Sequence, residues 1–287
     1  MFKQGDIRKK LHKFRRQRQT RLLQLFGALT SDKRMQPEFI IAGSQRSGTT
    51  SLYHYLSEHP QIASAVVKEI HYFDINYTKG LSWYQGNFPK ANAQPDAPRS
   101  ITGEASPYYA FHPHAMRRIA EDFPAMKLIL IMRNPVDRAY SQFQHETQLG
   151  WENLPFEEAV RWEEVRLRGE VNRMLNNEEY NSFNHRHFSY LARGVYIDQI
   201  NQILKYFPRT QVHLMKSEDF FRNTQATLSS LLEFLELPDW KFSDFKIHNQ
   251  MKYPKMAADT RARLVEYFRP FNRELCRTMD IDLDWDR

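Results

Sequence analysis

The sequence contains a single cysteine, Cys276, among 287 residues. An intrachain disulfide is therefore excluded, and a reducing compartment such as the cytoplasm is favoured. The chain also lacks any apolar run of the roughly 18–20 residues that a membrane-spanning helix requires. Its longest candidate, Leu128–Met132, has the length of a strand. Hydrophobic residues make up 41% of the chain, which is enough for one large α/β domain or two small ones.

Acidic residues are scarce at the start of the chain. Residues 1–21 contain nine Lys/Arg and one acid, Asp6. Apolar residues recur in this region at near-helical spacing, at Ile7, Leu11, Phe14, Leu22, Leu25 and Leu29. We interpret residues 1–34 as a basic amphipathic arm that can lie on an anionic membrane surface, followed by one domain over residues 35–287. A solvated arm, or a helix that packs on its own domain, is the alternative.

One residue of a known phosphate-binding motif is missing from the segment Phe39–Tyr53. This segment reads as a buried strand, a turn and a helix start, which directs backbone N–H groups toward one point and suits phosphate or sulfate. A nucleotide triphosphatase loop has the sequence G-x-x-x-x-G-K-[ST]. Gly43 and Gly48 have that spacing, but Thr49 replaces the lysine, and the basic residue, Arg46, lies inside the loop. We therefore predict an anion-binding loop that is not built for ATP with Mg²⁺.

A second anchor follows the predicted strand Lys127–Met132. Arg133 stands where an ATPase commonly has a magnesium-binding aspartate. Ser141 lies two turns into the next helix, so both side chains can converge on one phosphate, with roughly 1.5–3 kcal/mol for each charge-assisted contact. The alternative is that Arg133 pairs with Asp137 and Ser141 is an ordinary helix residue. Beside the glycine loop, this pattern predicts direct anion binding without a metal ion.

Strands and helices alternate from Pro37 onward. This alternation predicts an α/β, P-loop-type three-layer fold, with a central parallel sheet flanked by helices. The predicted strands are Phe39–Ala42, Ile62–Val67, Ile101–Glu104, Lys127–Met132 and Val212–Lys216. The predicted helices are Ser51–His59, Pro113–Asp122, Val136–Leu149, Phe156–Met174, Tyr196–Phe207, Gln225–Leu235 and Ala257–Met279, the last kinked at Pro270.

These motifs, together with Glu69–Asp74, resemble the PAPS-dependent sulfotransferases. PAPS is 3′-phosphoadenosine 5′-phosphosulfate, and PAP is its desulfonated product. The most similar branch includes the heparan sulfate N- and 3-O-sulfotransferases and many bacterial homologues. The similarity also includes Gly103–Tyr108, Arg193–Tyr196 and Ser217–Phe220. The resemblance implies a sulfotransferase domain over residues 35–287 that needs no metal and sulfates a hydroxyl or, less readily, an amine. The single cysteine and the lack of a membrane-spanning run differ from the Golgi enzymes of this branch and favour a cytoplasmic bacterial enzyme.

The resemblance also implies a role for each site residue. Arg133 and Ser141 would bind the 3′-phosphate of PAPS. Glu69 would be the general base on the acceptor, and His71 would assist it or orient the acceptor. The alternative for Glu69 is a surface carboxylate paired with Lys68. The 5′-phosphosulfate loop would consist of Gln45, Arg46, Ser47, Gly48, Thr49 and Thr50.

The chain departs from the family pattern at several positions. Arg46 stands where this branch usually has lysine; it would stabilise the charge on the leaving oxygen but does not give up a proton. Ala105 follows Glu104, where the glycosaminoglycan enzymes usually carry lysine. Asn249–Pro254 replaces a Lys-Gly-Arg-type loop, and Lys252 is expected to supply the missing cation there.

The expected acceptor is a hydroxyl-bearing carbohydrate or small metabolite, with no nucleic-acid partner. The acidic helix after Trp151 is interpreted as a solvated face, with a wall of the acceptor cleft as the alternative. His185 and His187 lack the neighbours of a metal site and are interpreted as satisfied histidines. Stacking on sugar rings and packing in the core are equally compatible with Tyr72, Phe73, Tyr108 and Tyr109.

Two other function classes are compatible with the sequence. A P-loop nucleotide or small-molecule kinase would turn over ATP with Mg²⁺, although Thr49 and Arg133 argue against it. A basic nucleic-acid or membrane-binding module would act through residues 1–34, and such an activity can coexist with catalysis. For an enzyme with this arm, the expected location is the cytoplasm, with the arm at the inner membrane surface.

Overall fold

The computed structural model describes residues 20, 22–91, 99–243, 245–246 and 253–286. Most of the basic arm, residues 1–19, and Lys252 lie outside these residues. The core of the fold is a five-stranded sheet with the order β2-β3-β1-β4-β5, in which all the strand pairs are parallel. The strands are β1 (Pro37–Gly43), β2 (Ile62–Ser64), β3 (Ile101–Ala105), β4 (Lys127–Met132) and β5 (Val212–Lys216).

The side chains of β1 and β4 alternate between two hydrophobic clusters, one on each face of the sheet. Ile40 and Leu128 belong to one cluster, whereas Ile41 and Ile129 belong to the other. Both strands are buried on both faces, as the continuous apolar sequences predict. Each such side chain contributes about 1.5–3 kcal/mol through burial. The predicted α/β three-layer class is confirmed.

Helices cover both faces of the sheet. Residues 22–28 form α1. The next helices along the chain are α2 (Thr49–Leu56), α3 (Leu81–Gln85), α4 (Ala115–Asp122), α5 (Pro135–Gln148), α6 (Phe156–Leu167), α7 (Glu170–Asn176) and α8 (Phe183–His187). They are followed by α9 (Tyr196–Leu204), α10 (Ser217–Arg222), α11 (Thr224–Phe234) and α12 (Ala258–Met279). The apolar residues of α9 and α12 belong to the cluster of Ile40, and those of α2 and α11 belong to the cluster of Ile41.

Several predicted boundaries are wrong. The helix expected over Phe156–Met174 is two helices, because Gly169 adopts a left-handed conformation with φ 76° and separates α6 from α7. The strand expected over Ile62–Val67 ends at Ser64, because the chain turns toward another loop, where Val66 N donates to Asn87 O. The helix expected to end at His59 ends at Leu56. Pro270 lies within α12, which runs continuously from Ala258 to Met279.

The described end of the basic arm packs on the domain by one face. Gln24 Nε2 donates to Asn87 Oδ1 (2.9 Å), and Gly27 packs against the backbone of Gly86 so closely that a Cβ atom would clash. The other face is apolar and exposed, and it includes Leu22, Leu25, Phe26 and Leu29. Among the described helices, none is long and apolar enough to cross a membrane.

Candidate active site

A cavity of about 700 Å³ lies at the carboxyl ends of β1 and β4. This edge of a parallel sheet is where ligands bind in open α/β folds. The cavity is lined by residues 45–50, Glu69, His71, Arg133 and Ser141. The structure therefore brings together all the site residues predicted from the sequence except Lys252, which lies outside the described part of the chain.

The loop after β1 leads directly into α2. Gly48 precedes the helix with φ 105°, and a Cβ atom there would lie 2.9 Å from the ring of Phe221. Both the backbone conformation and the available space therefore require glycine. Ser44 N donates to Ile131 O (2.8 Å), which ties the loop to β4. The first N–H groups of α2 have no intrahelical partner and provide an anion-binding helix end.

The two predicted anion-binding segments meet inside the cavity. Arg46 Nε donates to Ser141 Oγ (3.1 Å), and Arg133 Nη1 donates to the backbone carbonyl of Arg46 (3.3 Å). Burial lowers the pKa of Arg46, and the positive charge of Arg133 lowers it further, against the opposing effect of Tyr253. A bound anion would relieve this repulsion between two cations.

Asp137 pairs with Arg261 (2.6 Å) and not with Arg133, so the alternative pairing predicted from the sequence is not found. The position of Arg133 is instead fixed through its backbone. Its carbonyl accepts a hydrogen bond from Tyr196 Oη (2.8 Å), and its N–H donates to the same oxygen (3.3 Å). Asn134 then caps α5 by accepting from Val136 N (3.0 Å). The side chain of Arg133 thus leaves a rigid turn at the tip of β4.

Arg193 is a buried cation at the cavity that sequence reasoning missed. Its guanidinium donates to Gln45 Oε1 of the anion-binding loop, and to the backbone carbonyls of His185 (3.1 Å) and Arg186 (2.7 Å). Burial lowers the pKa of Arg193 to about 10, so it remains cationic at neutral pH. The only signal in the sequence was its place in the Arg193–Tyr196 motif.

Glu69 lies between two cations. Its Oε1 is 2.5 Å from Lys68 Nζ, and its Oε2 is 3.4 Å from His71 Nε2. Desolvation raises the pKa of Glu69, but the hydrogen bond from His71 and the charge of Lys68 outweigh it and lower the pKa to about 2. Glu69 is therefore both the partner of Lys68 and a carboxylate of the cavity.

His71 is held by a second carboxylate that the sequence analysis did not assign. Its Nδ1 lies 2.7 Å from Oδ2 of Asp74, which is completely buried. Burial lowers the pKa of His71, but Asp74 and Glu69 raise it to about 9, so the ring is a cation at neutral pH. Asp74, His71 and Glu69 thus form a chain of alternating charge that ends in the cavity.

The other end of the cavity has an apolar rim. Trp151 is 43% exposed and packs edge-on against His187 and Phe183, and Leu149 is exposed beside it. Of the four aromatic residues considered for sugar stacking, only Tyr108 lines the cavity. The remaining three are core residues, namely Tyr72, Phe73 and Tyr109.

The acidic helices α6 and α7 lie away from the cavity, and both histidines of the pair have protein partners. None of the described residues of α6 and α7 lines the cavity. His185 Nδ1 lies 2.8 Å from Tyr108 Oη, and His187 Nδ1 lies 3.1 Å from Glu146 Oε2. Within the described part of the chain, no group of three or more His, Cys, Asp or Glu side chains could hold a metal ion.

Known proteins resemble this chain over most of its length. Residues 36–273 match the family described as the sulfotransferase domain. The chain is 28% identical to the membrane-associated sulfotransferase kil1 of Dictyostelium discoideum, over 87% of this chain and 66% of that protein. It is 25% identical to mouse heparan sulfate glucosamine 3-O-sulfotransferase 3A1, over 90% of this chain and 66% of that protein. It thus spans less than two thirds of the length of these relatives.

Two further comparisons are informative. Human bifunctional heparan sulfate N-deacetylase/N-sulfotransferase 2 is 28% identical, over 85% of this chain but 29% of that protein. The crystal structure of a sulfotransferase from Alicyclobacillus acidocaldarius superposes with a TM-score of 0.72 at 29% identity, covering 88% of this chain and 99% of that one.

Proposed function

Because the chain belongs to the sulfotransferase domain family, we propose that it transfers the sulfonate group of PAPS to a hydroxyl group of a carbohydrate or small metabolite, or less readily to an amine. One observation carries this proposal. Arg46, Arg133 and Ser141 meet in a cavity that also contains the carboxylate of Glu69. Cations for a multiply charged donor and a base for an acceptor therefore share one site.

The cavity fits the anionic groups of PAPS. Residues 45–50 and the N-terminus of α2 would hold the 5′-phosphosulfate, while Arg133 and Ser141 would bind the 3′-phosphate. The contact between Arg46 and Ser141 supports two adjacent anion subsites. Arg193 would keep Gln45 in place, and Lys252 remains a proposed additional cation for the nucleotide.

In the proposed reaction, bound PAPS supplies the sulfonate: the acceptor oxygen forms a new S–O bond, the S–O bond to the 5′-phosphate breaks, and the acceptor proton passes to Glu69. A carboxylate with a pKa of about 2 is a weak base in the ground state. Glu69 would therefore take the proton only as the new bond forms. Arg46 would stabilise the charge on the leaving oxygen, and the His71 cation would orient Glu69.

The direct test is transfer of labelled sulfonate from PAPS to a panel of carbohydrates and small hydroxylated metabolites, in buffer with a metal chelator. We expect labelled product and PAP from the wild-type chain, and loss of both in Arg133→Gln. Arg261→Gln is the matched control, because it removes a cation paired with Asp137 outside the cavity. Absence of transfer to every acceptor, together with ATP turnover that needs Mg²⁺, would contradict the proposal and favour a kinase.

The rim of Trp151 and Leu149 supports an acceptor with an apolar ring face, such as a sugar. Aromatic side chains provide such contact while other groups of the site bind hydroxyls. For the acceptor found in the transfer assay, Trp151→Ala should raise KM about tenfold without changing the affinity for PAP. Trp162→Ala, which replaces a similarly exposed tryptophan away from the cavity, is the control. An unchanged KM would remove the rim from the acceptor site.

We also propose that the N-terminal arm binds an anionic membrane surface, which is consistent with action at the cytoplasmic face. The exposed positions Leu22, Leu25, Phe26 and Leu29 follow a helical spacing directly after the cationic segment 1–21. The full chain should sediment with phosphatidylserine vesicles, less at high salt, and not with pure phosphatidylcholine vesicles. The double substitution Leu25→Ser and Phe26→Ser should abolish sedimentation, unlike Val171→Ser. Failure to bind vesicles, or dimerisation through the same residues, would contradict the proposal.

A further inference from the structure

The loop that carries Glu69 and His71 is held by its backbone. Ile70 N donates to Glu104 Oε2 (3.2 Å), and His71 N donates to Ser106 Oγ (3.1 Å). Tyr72 N donates to Tyr109 Oη (2.7 Å), and the next N–H approaches the same oxygen at 3.4 Å. Consecutive N–H groups of this loop therefore donate hydrogen bonds to side chains that lie at the end of β3 or just after it.

These contacts converge on one carboxylate. Ser106 Oγ donates to Glu104 Oε2 (2.6 Å), and Tyr109 Oη donates to Glu104 Oε1 (2.8 Å). Glu104 is completely buried at the end of β3 and does not line the cavity. Glu104 thus accepts one hydrogen bond directly from the loop, from Ile70 N. It also accepts from the hydroxyl groups of Ser106 and Tyr109, and each of these oxygens accepts a hydrogen bond from a backbone N–H of the loop.

We propose that Glu104 is a positioning residue, a buried carboxylate that fixes the backbone of residues 70–73 and thereby aims Glu69 and His71 into the cavity. The inference rests on the proposed function to the extent that Glu69 is the base of that reaction. His71 has φ 54°, an uncommon conformation for a residue other than glycine. A loop that contains such a residue needs surrounding contacts to maintain its conformation, and the cluster of Glu104, Ser106 and Tyr109 provides them.

The charge state of Glu104 matters for this role. An ionised carboxylate can accept from Ile70 N, Ser106 and Tyr109 at once, whereas a protonated one must donate and so gives up one of these contacts. Burial raises the pKa of Glu104 to about 7, although these three donors and the charge of His71 oppose the rise. The titratable groups that face Glu104 are Tyr53, Tyr84, Tyr109 and His71. Protonation near neutral pH should therefore loosen the loop.

The test compares Glu104→Gln and Tyr109→Phe with Thr102→Val. Thr102 is the matched control because its buried hydroxyl on the same strand donates to Ala63 O (2.6 Å) and not to the loop. We expect kcat to fall about 10- to 100-fold in Glu104→Gln, with the affinity for PAP unchanged, because a misplaced catalytic group costs rate and not donor binding. Tyr109→Phe should reduce kcat less, and Thr102→Val should leave it near the wild-type value.

The pH profile separates positioning from a general loss of structure. Neither Glu69, with a pKa of about 2, nor His71, with a pKa of about 9, titrates near pH 7. Burial raises the pKa of two carboxylates, Glu104 and Glu163, to about 7, but of these two Glu104 contacts the loop, so we assign to it a fall in wild-type kcat below about pH 7. This acidic limb should disappear in Glu104→Gln, because an amide does not titrate there. A wild-type kcat and an unchanged limb in Glu104→Gln would overturn the inference.

Amide hydrogen exchange tests the same idea without turnover. The amides of residues 70–73 should exchange faster in Glu104→Gln than in the wild-type chain, while those of β1 and β4 stay protected. If the wild-type chain neither binds PAP nor transfers sulfonate, the proposed function fails, and exchange still tests the loop. If Glu104→Gln does not fold, Tyr109→Phe carries the comparison, and unchanged exchange in that variant would contradict the inference.

Discussion

The charges of Glu69 and His71 are set by their neighbours. Lys68 and His71 keep Glu69 ionised, and Asp74 and Glu69 keep His71 protonated. At neutral pH the cavity therefore contains a carboxylate and an imidazolium. This arrangement suits a base that acts late in the reaction and a cation that holds it in place, and it does not suit a neutral histidine as the base.

Replacement of Glu69 by Gln should reduce sulfonate transfer by about 10²- to 10⁴-fold, the usual contribution of a general base. The affinity for PAP should remain at the wild-type value, since the role proposed for Glu69 is toward the acceptor and not toward the nucleotide. Steady-state transfer and calorimetric titration with PAP measure the two effects. Glu121→Gln, which removes an exposed partner of Arg117, is the control. Transfer at the wild-type rate by Glu69→Gln would exclude Glu69 as the base.

The raised pKa of His71 predicts how stability depends on pH. A histidine titrates near 6.5 in the unfolded chain and near 9 in the folded protein, so folding favours its protonated form. The stabilisation, on the order of 3 kcal/mol, is fully present below pH 6.5 and is lost as the pH rises through 9. The difference in unfolding free energy between wild type and His71→Gln should therefore shrink from pH 6 to pH 10. A difference that stays constant from pH 6 to pH 10 would contradict this charge assignment.

Sequence motifs predicted most of the residues that lie at the cavity. They did not predict the side-chain contacts that fix the positions of those residues. Arg46 stood out because it is the basic residue of a loop in which Thr49 replaces the expected lysine, and Arg133 stood out because it stands where an ATPase commonly has an aspartate. Asp74, Arg193 and Glu104 were not assigned roles, because their importance comes from contacts with distant segments. Arg193, for example, reaches Gln45 across 148 positions of the chain. Neither periodicity nor local spacing contains such information.

Among the secondary-structure elements, the break between α6 and α7 is a point where the prediction from the sequence was wrong. The charged sequence from Phe156 to Met174 has continuous helical character, and paired charges such as Glu164 and Arg168 support one helix. Gly169 nevertheless takes a left-handed conformation and redirects the chain. A single glycine can occur inside a helix as well as in a turn between two helices. The sequence pattern around Gly169 therefore could not distinguish one helix from two.

Gly169→Ala should destabilise the protein by about 1–2 kcal/mol, because alanine is strained at φ 76°. No atom lies within 4 Å of a Cβ built at this position, so the whole effect comes from the backbone. Gly169→Asn should lose less stability, because asparagine tolerates the left-handed region. Urea unfolding gives both values. A Gly169→Ala protein as stable as the wild type would contradict the assigned break between α6 and α7.

For the whole molecule, the alternation of strands and helices was sufficient to predict the fold class but not the order of the strands. The two layers of core residues follow from strands that are apolar on both faces. Strand order depends on pairings such as that of Leu128 with Val212, which join distant parts of the sequence. That order places the ends of β1 and β4 side by side and so creates the cavity from two motifs.

If the cavity is the proposed donor site, it binds both phosphate groups of PAP without a metal ion. Calorimetric titration with PAP and with AMP, in the presence of a chelator, measures this binding. The wild-type chain should bind PAP about 10- to 100-fold more tightly than AMP, as expected for one or more charge-assisted contacts to the 3′-phosphate. Arg133→Gln should remove most of this difference, and Arg261→Gln should preserve it. Equal affinities for PAP and AMP in the wild-type chain, or binding that requires Mg²⁺, would contradict the account.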